Sequence, residues 1–228
     1  MKSVCLKIAA AAVFAAVLMT GCSNDDGKGN PTNTSGSTSG GNNTSAPVQS
    51  TAAENNEDSA ADYEYTVEGD GVVINKYLGK SSEIVIPSQI EGKNVVKLGF
   101  SFLRSDEESV VTSVIMSNTI TELNAELFSY STSIKSITFS KGLKEIPKKV
   151  CMHASALETV ILPEGLEVIG HAAFNSCDAI KEVVLPDSLK ELSVNAFFAC
   201  DSMETMTYKG KSWGKNDFDG CYNAVNNQ

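Results

Sequence analysis

Six cysteines and two histidines are the side chains with the widest chemical reach in this 228-residue chain. A thiolate can ligate zinc, bridge to a second thiol or attack a carbonyl, and a neighbouring imidazole supplies a further ligand or a base. The spacing favours none of these. Cys151 and His153 make a short Cys-x-His, but neither C-x-x-C nor H-E-x-x-H occurs. His171 falls on a different part of the repeating pattern from Cys151 and does not converge with it. Asp217, Asp219 and Gly220 echo the opening of a calcium loop without its remaining ligands and closing Glu. No Walker loop and no G-x-G-x-x-G is present, and the carboxylates are scattered rather than paired. With neither histidine beside a plausible nucleophile, acyl transfer lacks a general base. The expectation is no catalytic residue, no metal, no cofactor and no enzyme activity.

Cys177 and Cys200 lie 23 residues apart, and that interval is the period of a large part of the chain. Four copies of one unit fill 111–133, 134–156, 157–179 and 180–202 without a gap. A fixed period with recurring apolar slots predicts a solenoid, in which each coil packs mainly on its neighbours. In the third copy the slots hold Leu157, Val160, Leu162, Leu166, Ile169, Ala173 and Phe174. Alternation at 160 and 162, with β-branched neighbours, predicts a strand with one buried face. Pro163 and Pro186 end such strands because proline cannot donate to a ladder. Small and aromatic residues at helix-like spacing over 167–177 predict a short helical or 3-10 return. A longer copy over 81–110 and a shortened one over 203–224 extend the array. Residues 63–67 and 72–77 flank Glu68-Gly69-Asp70-Gly71, a hairpin signal expected to cap the first coil. Phe128, Phe174, Phe197 and Phe218 should form one core column interrupted by Cys151. Cys177, Cys200 and Cys221 should form a column of buried thiols, with a disulfide as the alternative.

The consensus L-x-x-V-x-L-P-x-x-L-x-x-I-x-x-x-A-F-x-x-C resembles the BspA-like leucine-rich repeat of bacterial surface proteins. The third and fourth copies match it almost slot for slot. The second departs most, with Cys151 in the phenylalanine slot and Ala154 in the cysteine slot. The resemblance implies an α/β solenoid with a parallel β-strand face, short helical or 3-10 returns and an N-terminal β-hairpin cap. The cap would span 63–77 and the repeats about 81–224. It also implies a role in adhesion to host proteins or other cells.

The start of the chain differs in kind. Lys2 and Lys7 precede an apolar run over 8–19, too short to cross a hydrocarbon core ~30 Å thick as a helix. This is the pattern of a secretory signal over 1–21. Leu18, Met19, Thr20, Gly21 and Cys22 then resemble the bacterial lipobox, which implies lipidation of Cys22 and a membrane anchor. Residues 22–61 are rich in Ser, Thr, Asn and Gly and poor in apolar side chains, so a disordered tether is expected. Its reach as a flexible coil is about 31–37 Å. The folded domain is expected over 62–228.

A net charge of −10 disfavours nucleic acid and anionic lipid headgroups as partners. The binding candidate is the outward side of the strand face. Its apolar row is expected to run Val85, Ile115, Thr138, Ile161, Val184 and Thr207, beside Thr159, Glu182 and Thr205. The functional expectation is a monomeric, surface-exposed envelope protein that binds a protein or glycan ligand along this face. Two alternatives stand beside it. One is a passive structural or assembly lipoprotein without a ligand. The other is a carbohydrate-binding accessory lipoprotein that uses Tyr208 and Trp213 near the C-terminal cap.

Overall fold

The computed structural model describes residues 6–8, 58–103 and 110–228. Cys22, most of the 1–21 signal segment and most of the 22–61 tether lie outside the described residues. In chain order, β1 (Leu6–Ile8) pairs antiparallel with β2 (Tyr63–Glu68). A 3-10 turn over Ala60–Asp62 leads into β2, which forms a hairpin with β3 (Gly71–Tyr77). Gly69 opens the two-residue loop with φ of 62°, a conformation glycine adopts without a Cβ clash. The first coil carries β4 (Glu83–Val85), β5 (Gln89–Ile90) and β6 (Lys93–Leu98). The next four coils each carry two short strands. They are β7 (Ser113–Ile115) and β8 (Glu122–Leu123), then β9 (Ser136–Thr138) and β10 (Glu145–Ile146). After them come β11 (Thr159–Ile161) and β12 (Val168–Ile169), then β13 (Glu182–Leu185) and β14 (Glu191–Leu192). The array closes with β15 (Thr205–Tyr208), β16 (Lys211–Gly214) and the helix α1 (Phe218–Asn226).

The 23-residue period becomes register. Ser113 faces Ser136 and Ser136 faces Thr159 in the parallel ladder β4-β7-β9-β11. A second parallel ladder, β10-β12-β14, sets Glu145 against Val168 and Val168 against Glu191. Inward residues share one core: Ile84, Val114 and Ile137 from the first ladder, Ile146, Ile169 and Leu192 from the second, and Val183 and Met206 from the parallel pair β13-β15. One coil could not bury such an edge alone; stacking makes the interior continuous. Two residues of the third copy depart from the expected burial. Val160 and Leu162 are only partly buried.

The returns take the 3-10 form of the expected helical or 3-10 return, without a continuous helix. They are runs of separate i→i+3 turns, such as Ala173 N–H to Gly170 O at 3.3 Å and Asn175 N–H to Ala172 O at 3.2 Å. A 3-10 bond is made, but no helix propagates, because the backbone turns left-handed twice in three of the coils and once in the fourth. Tyr130, His153, Ser176 and Ala199 have φ of 56–62°, and Glu126, Lys149 and Ala172 have φ of 54–62°. Each costs about 1–2 kcal/mol for a residue with a Cβ. Backbone bonds between coils offset that cost. Phe128, Cys151 and Phe174 N–H groups donate to Val150, Ala173 and Ala196 carbonyls at 2.7–2.8 Å. Tyr130, His153 and Ser176 do the same to Met152, Asn175 and Phe198 at 2.8–2.9 Å.

Inside the returns the aromatic column forms in two parts. Phe174 stacks on Phe197 with centroids 5.0 Å apart, and Phe102 meets Phe128 edge-on at 6.3 Å, with Cys151 filling the slot between the parts. Phe102 is the core member of the first coil, and its neighbour Leu103 is only partly buried. Phe218 is also only partly buried, as the first residue of α1. Tyr222 seals the column instead, its hydroxyl accepting from Phe197 N–H at 3.2 Å.

Candidate binding face

The outward residues of the first ladder sit in one row because their registers are locked. Val85 pairs with Ile115, Ile115 with Thr138 and Thr138 with Ile161; Val184 pairs with Thr207 and Glu182 with Thr205. Every predicted member of the face therefore lies on a strand, and Thr159 and Glu182 are exposed beside the row. Exposure is uneven. Val85, Thr138, Thr205 and Thr207 are half-buried, whereas Ile115 is 43% exposed, Ile161 51% and Val184 63%. The apolar surface grows toward the C-terminal coils.

The row is interrupted where it is most exposed. At earlier and later junctions the start of each strand donates to the preceding coil. Lys135 N–H reaches Thr112 O at 2.7 Å, Glu158 N–H reaches Lys135 O at 2.9 Å, and Glu204 N–H reaches Lys181 O at 2.8 Å. No counterpart from Lys181 to Glu158 exists among the described residues, and β11 and β13 lie alongside each other without forming a ladder. On the β11 side of this opening Val160 and Leu162 are incompletely covered, whereas Val183 and Leu185 on the β13 side are buried. The second ladder has its own interruption, between β8 and β10. The two breaks fall at different junctions, so each junction keeps at least one bonded face.

The residues considered for chemistry are not brought together. Cys151, Cys177, Cys200 and Cys221 are free and buried. Cys177 Sγ donates to Cys151 O at 3.1 Å and Cys200 Sγ to Phe174 O at 3.0 Å, so these thiols satisfy backbone carbonyls of the preceding coil. Burial pushes Cys200 and Cys221 up to about 11, and holds Cys151 and Cys177 well above the ordinary thiol value. Such groups are poor nucleophiles. No cluster of three or more His, Cys, Asp or Glu that could hold a metal occurs among the described residues. His153 lies outside, stacked on Tyr130 at 5.1 Å, while Cys151 lies inside. A G-x-S-x-G run, Gly210 to Gly214, falls across the β15–β16 hairpin rather than a strand-to-helix elbow. Its Ser212 hydroxyl meets Thr207 at 2.9 Å.

Tyr208 and Trp213, the residues on which the alternative of a sugar-binding lipoprotein rested, are 2% and 5% exposed and belong to the core. Tyr208 donates its hydroxyl proton to Leu189 O at 3.1 Å. Among the described residues the large exposed aromatics are Tyr130 and Phe198 on the returns and Phe100 in the first coil. Sequence reasoning missed them because these aromatics do not recur at their slots. On the second ladder Lys144, Glu167 and Lys190 alternate across coils. The bond to Lys190 at 2.7 Å, helped by Lys144 at 3.9 Å, holds the Glu167 carboxyl below its usual range.

This architecture, two parallel ladders and a turn-built return at a 23-residue pitch, defines a leucine-rich-repeat solenoid. A model of the BspA type leucine rich repeat region matches residues 106–225 in six copies. The chain belongs to that family. Among solved structures it is similar to the leucine rich repeat protein of T. pallidum, at 30% identity and a TM-score of 0.59 over 66% of this chain and 70% of that one. A leucine rich cell surface protein of Faecalibacterium prausnitzii shares the fold at 19% identity and a TM-score of 0.57, over 73% of this chain and 41% of that one. A leucine-rich repeat protein of Bacteroides ovatus matches at 25% identity and a TM-score of 0.53, over 64% and 39%. The chain thus spans about two fifths of the length of the last two. No curated protein matches it. Membership suggests a protein-interaction or adhesion-type role for the chain. Among the described residues no helix is long and apolar enough to cross a membrane.

Proposed function

We propose that this chain is a lipid-anchored bacterial surface protein whose first strand face binds a protein ligand, in adhesion or another cell-contact role. One observation carries the reading: Ile115 and Ile161, held in register by one ladder, and Val184 on the adjacent strand β13 expose large apolar side chains on the outward side of neighbouring coils. Large apolar side chains aligned on a secreted domain are where a partner excludes water. A glycan is the less suited ligand for this row, because sugars favour exposed aromatic rings and the row has none. The Leu18–Cys22 lipobox resemblance supports lipidation of Cys22, and the composition of 22–61 supports a tether that holds the domain away from the membrane.

The test uses cells that carry the full chain. Surface protease should digest the wild type on intact cells, and Cys22→Ala should move it out of the detergent-soluble membrane fraction. The Ile161→Asp/Val184→Asp pair should abolish cell attachment to a protein-coated surface while shifting the thermal melt by little. Attachment unchanged in that double variant would remove the strand face from the function.

A further inference from the structure

We propose that the junction of β11 and β13 is the anchoring subsite of this face and takes an extended, cationic polypeptide segment with an apolar centre. This rests on the reading of the strand face as the binding surface. Three independent features meet at the junction. The most exposed apolar pair of the row, Ile161 and Val184, flanks it. The ladder is open there, and Val160 and Leu162, which flank Ile161 in β11 and just past its end, are partly uncovered. Exposed carboxylates border the pair at both ends of the strands: Glu158 and Glu182 at the starts, Glu164 and Asp187 just past the ends, with Lys181 the one base among them.

The sign of this border is local. One coil earlier the positions of Glu158 and Glu164 are taken by Lys135 and Lys141, which flank Thr138 rather than an exposed aliphatic residue. The apolar surface therefore coincides with the acidic half of the face. A segment with β-branched residues at its middle and Lys or Arg on either side would fill the apolar opening and reach both rims. Complementary charge would also steer its approach. A second copy of this chain would set carboxylate against carboxylate. The chain's own 23–57 segment carries Lys28 as its only base against four acids, so it is a poor occupant too.

The experiment measures fluorescence anisotropy with the full chain and two labelled peptides of about ten residues, one alternating Lys and Val, the other Glu and Val. The Lys–Val peptide should bind, weaken about tenfold or more on Ile161→Ser/Val184→Ser, and weaken about three- to tenfold on Glu158→Gln/Glu182→Gln. Serine variants leave the charge unchanged. Raising salt from ~50 to ~300 mM should weaken the peptide on the wild type and much less on the glutamine variant. The Glu–Val peptide should not bind. Equal binding of both peptides, or glutamine variants that bind like the wild type, would overturn the cationic assignment and leave an apolar binding face standing. Lys–Val binding untouched by the serine variants would overturn the subsite. Self-association of the full chain that the serine variants abolish would replace the cationic partner with a second copy. Loss of cell attachment in the aspartate variant without any peptide binding would sink this inference and spare the broader one.

Discussion

Two residue types carry the interior. Phe174 is fully buried and stacked on Phe197, so Phe174→Ala is expected to cost about 3–5 kcal/mol by urea denaturation. A cost under about 1 kcal/mol would mean that the column is not packed as described. The buried thiols make a prediction about pH. Cys200 and Cys221 keep their protons up to about 11 in the folded chain, whereas the unfolded chain releases them near the ordinary thiol value, about 9. Between those values the folded state binds more protons, so this contribution to stability is full below about 9 and drains as pH rises toward about 11. The melting temperature should fall across that window, and fall less steeply in Cys200→Ala. At neutral pH the four thiols should resist a thiol reagent until denaturant is added. The column of Cys177, Cys200 and Cys221 was legible because the first two repeat at the full period; the carbonyls that receive the thiol protons were not, since they belong to another coil.

At the scale of elements, the strand register was legible to the residue. Alternation at one strand per coil is a strong signal, and Ser113, Ser136 and Thr159 align as the repeat demands. The second ladder was hidden because its strands are two residues long in most coils and too short to show alternation. The left-handed columns were hidden for another reason. Tyr130, His153, Ser176 and Ala199 share no side-chain chemistry; the first three are tied by backbone bonds to the next coil, a partner that no local sequence reveals. The opening at β11 and β13 likewise belongs to the packing of two coils and has no sequence of its own. Asp58 shows how an element's edge is protected. Its carboxylate accepts from Val85 N–H at 3.1 Å and from Tyr63 OH at 3.0 Å, while its own N–H donates to Val85 O at 2.9 Å. One residue, placed by composition in the tether, thus covers the outer side of β4. Asp58→Ala should lower stability by about 1–2 kcal/mol and speed amide exchange at Val85 while leaving coils near β13 unaffected. Equal exchange at Val85 in the two proteins would contradict this.

For the whole molecule, the notable fact is that neither end of the array is left bare. At the far end β16 covers β15, and the Asn226 side chain takes the place of a missing coil. It accepts from Leu192 N–H and donates to Leu192 O, both at 2.9 Å. Tyr222 does the same for Phe197 N–H. With these side chains gone, β14 and the last return would present unpaired backbone, a template for another chain. Asn226→Ala with Tyr222→Phe should therefore raise concentration-dependent light scattering, an increase that the single Asn226→Ala change reproduces in part. Scattering identical to the wild type would show that the cap is not what limits association. A coil array has no intrinsic length; its geometry would accept another turn as readily as the last. What closes this array is a handful of side chains, Asn226 and Tyr222 foremost, that imitate a next turn and then stop, so the extent of the stack is decided by its cap rather than by its repeats.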